Sequence, residues 1–323
     1  MLNEQLVSLV DKMEWLWMDA TKVTSGFVGE HYFEEKFLKP DNLYTYSTGW
    51  YHCNLGNTDV PFVFFLGNNM TELDREILSK FGNERYFCQV YFNNGLHFWY
   101  HGKISQYFNQ GHHFNEEDFI NELGLTKLQD KIVAPEKSKN RTEFVSYLKF
   151  FLNERIFNKV FLDRYFCNGF LVQYFRKVID FDFIIKNSKN EYIIADVKFK
   201  YPIHYIFKDR NYRYFGINVA PGKLYRELSK SFKIYNFNFI KPESDTNNLV
   251  DFISKGHLQQ MYYSKLNVGF IREDNIFPRN ARNVNDNQTG TDYSGKKQTP
   301  YYRFPISEYT CKNLTDNKIK LPF

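Results

Sequence analysis

Cysteine is scarce and unpatterned: Cys53, Cys88, Cys167 and Cys311 show no Cys-x-x-Cys spacing. That argues against a structural zinc site or a disulfide framework and fits a reducing cytoplasm. No apolar run reaches 18 residues, so no membrane-spanning helix is expected. The start, Met1-Leu2-Asn3-Glu4, lacks the basic and apolar regions of a signal peptide, and the expected location is the cytoplasm. No Gly-x-x-x-x-Gly-Lys occurs, so any nucleoside-triphosphate-driven step requires a separate motor subunit. Basic residues are few in the first part of the chain: residues 1–130 hold 9 Lys+Arg against 18 Asp+Glu, whereas 131–323 hold 33 against 19.

Aromatic residues, by contrast, are abundant, with 34 Phe and 24 Tyr. Together with many Asn, Lys and Ile, this is the usage of AT-rich coding rather than a sign of base stacking. The 323 residues suffice for two domains, each burying its own core. Their boundary is expected at residues 130–141, a polar stretch containing Pro135. An acidic α+β domain over 1–130 would precede a basic domain over 140–323. The basic domain suits a polyanion, because Lys and Arg contacts to phosphate release counterions. The acidic domain is a candidate for contacting a protein partner or motor subunit, and a homodimer is left open.

In the first domain, Leu2, Leu6, Leu9, Val10, Met13, Leu16 and Trp17 recur at helical spacing. Strands are expected at Tyr44–Cys53, Pro61–Leu66, Arg85–Phe92 and Leu96–Ile104, forming an antiparallel sheet. Asn93-Asn94-Gly95 marks a type I′ hairpin. Two capped helices follow Thr71 and Asn115, each with an acid three residues on and a glycine beyond, at Gly82 and Gly124. His97, His101, His112 and His113 match no recognised metal spacing. Trp50, Tyr51, Phe98, Trp99 and Tyr100 are candidates for a pocket that stacks a base.

The second domain carries the chemistry. Asp180-Phe181-Asp182-Phe183-Ile184-Ile185 and Glu191 to Lys200 read as strands joined by the polar turn Lys186-Asn187-Ser188-Lys189-Asn190. Alternation puts Asp180 and Asp182 on one face, and Asp196, Lys198 and Lys200 on one face of the next strand. The apolar run Tyr192 to Ala195 points to a central strand covered on both faces. Charges at the end of such a strand need a partner or a metal. Hard carboxylate oxygens suit Mg²⁺ or Mn²⁺, which stabilises charge on a phosphate and activates water.

An acid separated by thirteen residues from Asp196-Val197-Lys198 resembles the PD-(D/E)xK, or restriction-endonuclease-like, nuclease superfamily. The Asp-Val-Lys-Phe-Lys ending is most similar to nuclease subunits of McrBC-type, modification-dependent restriction systems. The resemblance spans about residues 140 to 271, and Phe181 stands where the usual proline would be. It implies an α/β domain, a restriction-endonuclease-like mixed sheet flanked by helices. Asp182, Asp196 and the Val197 carbonyl would hold Mg²⁺, and Lys198 would orient the attacking water. Asp180 is the rival first acid. A helix over Thr142–Glu154 offers Glu143 or Glu154 as a further acid, and Gln260, on an expected helix from Leu249 to Tyr263, would help order the site. The implied reaction is DNA cleavage by a metal-dependent endonuclease of restriction or phage defence. The class alternative is a non-catalytic nucleic-acid-binding or adaptor protein.

Candidate DNA contacts are Lys200, Lys208, Arg210 and Arg213, where basic and aromatic residues interleave. Arg279 and Arg282 join them within the polar segment 273–300, expected to be a mobile loop. A helix over Leu224–Phe232, a strand over Ile234–Ile240 and a strand over Leu266–Ile271 complete the expectation.

Overall fold

The computed structural model describes residues 26, 29–40, 43–56, 58–106, 111–128, 162–200, 202–207, 210–240, 258–277, 300–314 and 319–323, with backbone alone at 203–207 and 210–211. The expected helices at Leu2–Trp17 and Thr142–Glu154, and the stretch 130–141, lie outside them. The chain has an α/β fold of mixed sheets, with few helices among the described residues. It forms two compact units, Met1–Val28 with Tyr46–Ile184 and Gly29–Thr45 with Ile185–Phe323. The division thus falls at Ile184–Ile185, well beyond 130–141.

The first unit explains part of that shift. Its sheet holds β2 (Trp50–Leu55), β3 (Pro61–Leu66), β4 (Tyr86–Phe92), β5 (Leu96–Lys103), β6 (His112–Asn115) and β7 (Phe175–Phe181), in the order β6-β5-β4-β3-β2-β7. Strand β7, assigned by sequence to the second domain, pairs antiparallel with β2 and so belongs here. The sheet is mixed, because β3 and β4 run parallel. Helix α1 (Glu72–Lys80) carries the chain between them, as a parallel pair requires. Thr71 and Asp74 form the expected capping box, and Asn115 accepts from the Asp118 N–H to cap α2 (Glu116–Glu122). Gly82 and Gly124 follow with φ of 95° and 56°.

The expected strand Tyr44–Cys53 is broken into β1 (Thr45–Ser47) and β2. Gly49 makes the break: its φ is 84°, and a Cβ there would stand 2.8 Å from the Leu66 carbonyl oxygen. The β4–β5 hairpin forms where expected, but Phe92 faces Leu96 across a three-residue loop in which Asn94, at φ 57°, takes the left-handed conformation. Tyr51, Cys53, Phe62, Phe64, Phe98, Phe119, Phe166 and Phe170 form one core on one side of this sheet. Trp50, Tyr51 and Phe98 are almost fully buried, and Trp50 Nε1 donates to Ser47 Oγ at 3.0 Å. These three rings are therefore core and cannot line a base-stacking pocket.

In the second unit, β9 (Tyr192–Phe199) lies third in a six-stranded sheet with β8 (Phe183–Lys186), β12 (Lys233–Phe239), β13 (Gln260–Lys265) and β16 (Thr310–Asn313), in the order β1-β8-β9-β12-β13-β16. Strand β9 is central, as expected. It runs parallel to β12, and β13 and β16 follow antiparallel. Helix α3 (Val219–Leu228) comes between β9 and β12 in sequence. A second sheet orders β10 (Ile203–Phe207), β11 (Arg210–Asn218), β15 (Tyr301–Pro305) and β14 (Ile276–Phe277) as β10-β11-β15-β14, all antiparallel.

Phe33, Phe37, Phe237 and Phe239 pack on one another, and Phe199 stacks on Phe239 at 5.0 Å. Each buried ring contributes on the order of 2–3 kcal/mol, which fixes the carboxyl-terminal ends of β9 and β12. Two expectations fail here. Gln260–Lys265 is strand, since the aromatic run Met261-Tyr262-Tyr263 pairs with Phe237 to Phe239 on β12. Leu266–Ile271 forms only a short 3₁₀ turn at Val268–Phe270.

Candidate metal centre

The turn before β9 is built by one amide. Asn187 Oδ1 accepts from the N–H groups of Lys189 and Glu191, both at 2.9 Å, and Asn190 takes φ 57°. Strand β9 leaves this turn in parallel register with β12, so that Asp196 lies beside Asn236 and Lys198 beside Asn238. Because side chains alternate, Asp196, Lys198, Asn236 and Asn238 share one face, while Val197, Phe199, Phe237 and Phe239 occupy the aromatic face.

Asp196 is 7% exposed, and its carboxylate is held from three sides. Lys198 Nζ is 2.9 Å from Oδ1, Tyr225 Oη donates to Oδ1 at 3.2 Å, and Asn236 Nδ2 donates to Oδ2 at 2.6 Å. Asn236 Oδ1 in turn accepts from Tyr309 Oη at 3.1 Å and from Asn238 Nδ2. Asn236 and Asn238 are 1% and 0% exposed. Asn238 Oδ1 is buried without a hydrogen-bond partner.

The charges follow from this geometry. Burial pushes the Asp196 carboxyl up, but the Lys198 and Lys200 ammoniums, with hydrogen bonds from Lys198 and Asn236, hold it below the usual carboxylate range. Burial pushes the Lys200 amine down to about 8, against the pull of Asp196 and with the repulsion of Lys198. The Tyr309 phenol is pushed up by burial and then by the Asp196 charge.

The candidate residues from sequence fare differently. Asp180 and Asp182 do not share a strand face: Asp180, next to last in β7, is exposed, while Asp182 sits at a bend between β7 and β8 and is 7% exposed. Asp182 belongs to the first unit, and Asp196, Val197 and Lys198 to the second. Lys200 is no outward DNA contact, since its Nζ donates to the Gly216 carbonyl at 2.7 Å and lies over the Phe215 ring. Gln260 points outward from β13, so it does not order Asp196. Arg213 is exposed on β11, which pairs antiparallel with β10. Glu143, Glu154, Lys208, Arg279 and Arg282, and the side chain of Arg210, lie outside the described residues.

No protein-family model, curated protein or solved structure matches the chain.

The donor set decides what cation the face could take. Among the described residues no group of three His, Cys, Asp or Glu side chains converges. Mg²⁺ asks for less from the protein, since it keeps several waters and binds through one or two carboxylates plus substrate phosphates. A fixed, ionised Asp196 offers hard oxygens of the right kind. Sequence reasoning missed Tyr225, Asn236, Asn238 and Tyr309. The alternation Ile234-Tyr235-Asn236-Phe237-Asn238-Phe239 did signal two polar positions on one face, but not that they meet Asp196.

Proposed function

We propose that this chain is a divalent-cation-dependent nuclease that hydrolyses DNA phosphodiester bonds, with Asp196 and Lys198 at its chemical centre. One observation carries the reading: a buried, ionised carboxylate on a central strand, fixed by Asn236 and Tyr225, with a lysine two residues on that remains 42% exposed. In this reading Asp196 holds Mg²⁺ or Mn²⁺, with the Val197 carbonyl as a further oxygen. A cation held there would supply activation of a bound water and neutralisation of charge on the phosphate. Lys198 orients that water or offsets the charge that develops. For the first acid the sequence resemblance offers Asp182, which is buried, and Asp180, which is exposed.

An endonuclease of prokaryotic restriction or phage defence is the setting implied by the sequence resemblance. Exposed Arg213 supplies backbone affinity, and a motor subunit supplies any triphosphate-driven step. The second reading is a nucleic-acid-binding or adaptor protein. The closed hydrogen-bonding of Asp196 favours it, because every carboxylate oxygen already has a donor.

Cleavage of methylated and unmethylated plasmid, linear duplex and single-stranded DNA with Mg²⁺ or Mn²⁺ separates the two. The nuclease predicts metal-dependent cutting that is lost in Asp196→Ala and Lys198→Ala. DNA binding indifferent to EDTA and to Asp196→Ala, with no cutting, favours the adaptor.

A further inference from the structure

The acid and the two amides on this face have a forced polarity. An ionised carboxylate only accepts, so Asn236 must present Nδ2 to Asp196 and Oδ1 away from it. Asn236 Oδ1 then accepts from Asn238, which must present Nδ2 to Asn236 and Oδ1 outward. The result is a buried acceptor with no donor, an arrangement that is costly unless a donor visits it. Its neighbour in register on β9 is Lys198.

Lys198 is at present committed to Asp196 Oδ1. A divalent cation on that carboxylate would repel the ammonium and take the oxygen it uses. We propose that Asn238 Oδ1 is the second seat of Lys198: when a divalent cation binds Asp196, the lysine crosses to Asn238 and is held there beside the cation. This rests on the reading of Asp196 as a cation ligand. Asn238 is thus a positioning residue. It gives Lys198 a fixed place on the cation-bound face and lowers the cost of evicting it from Asp196.

The test is Mn²⁺ titration of the full chain by calorimetry and by electron paramagnetic resonance of free Mn²⁺. It compares wild type, Asn238→Ala, Lys198→Met, the double variant and Asp196→Asn. Removing the second seat leaves Lys198 competing for Asp196, so Asn238→Ala weakens Mn²⁺ by about tenfold, equivalent to ~1.4 kcal/mol. Lys198→Met removes the competitor and tightens Mn²⁺. In the Lys198→Met background Asn238→Ala changes affinity by less than about twofold, because no lysine is left to seat.

An Asn238→Ala effect that is equal in both backgrounds, or absent, overturns the proposal while leaving Mn²⁺ binding at Asp196 intact. Failure of wild type to bind Mn²⁺ any better than Asp196→Asn overturns the cation reading itself, and the proposal with it. If Asn238→Ala does not fold, the near-isosteric Asn238→Leu, which also lacks the acceptor, takes its place in the same cycle: it weakens Mn²⁺ only where Lys198 is present, and an effect equal in both backgrounds overturns the idea.

Discussion

Asp196→Asn is nearly isosteric, yet the structure gives it a definite cost. The carboxylate accepts from Lys198, Tyr225 and Asn236, whereas an amide keeps only one acceptor oxygen. If that oxygen stays with Lys198 and Tyr225, the new NH₂ faces Asn236 Nδ2, and Asn236 must turn over. Asn238 must then turn over as well, leaving a donor rather than an acceptor unpaired at the end of the relay. Two charge-assisted interactions become neutral ones, each conversion worth about 1 kcal/mol, since bonds to charged groups contribute roughly 1.5–3 and neutral ones 0.5–1.5. Lys198 is partly in water, which reduces its share. The expected loss is ~2 kcal/mol at pH 7, read from urea denaturation followed by circular dichroism. Because the folded carboxyl titrates below 3.8, its stabilisation is present above that value and fades as pH falls through the folded pKa; the gap between variants should close in that direction. Adding Mn²⁺ should stabilise wild type and leave Asp196→Asn unmoved. An Asp196→Asn protein as stable as wild type at pH 7, or one that Mn²⁺ still stabilises, would refute the account of this carboxylate.

Local signals in the sequence located elements well and partnerships poorly. Pro61–Leu66 was read to the residue, and β4, β5 and β12 to within one residue at each end, because alternation and flanking turn residues act within a few positions. The caps at Thr71 and Asn115 were legible for the same reason: an N-cap bond spans three residues. What alternation cannot carry is register between strands some forty residues apart, so the Asn236–Asp196 bond was invisible even though both polar positions were plain. Asp180 and Asp182 look equivalent in a continuous strand. Only the bend at Asp182, which separates a strand of one sheet from a strand of another, makes one exposed and the other buried. Lys200 was read as a contact for phosphate on charge alone, and its capture by the Gly216 carbonyl depends on a strand that pairs with β15, some eighty residues on. At Gln260 the polar and aromatic residues suit helix and strand about equally, and the partner strand β12 decided.

The remaining predictions address the mounting of the site and the first unit. Gly49→Ala should destabilise by about 2–3 kcal/mol in urea melts, because an L-residue at φ 84° costs ~1–2 kcal/mol and its Cβ would also press on the Leu66 carbonyl oxygen; a loss under 0.5 kcal/mol would show that this backbone yields freely. Thr71→Ala removes the acceptor for the Asp74 N–H and should cost about 1 kcal/mol, whereas Thr71→Ser should restore it. Lys200 sets a pH dependence of its own. Its folded pKa of about 8 lies below the ordinary 10.5, so between those values the unfolded chain binds more protons and stability rises with pH. The contribution is complete above 10.5 and is lost as pH falls through 8, and on the order of 1–3 kcal/mol is at stake given a shift of this size. Wild type should therefore gain stability relative to Lys200→Met between pH 7.5 and 9.5. A difference between the two proteins that stays flat over that range would mean the amine is solvated, and that its bond to Gly216 does not hold it inside.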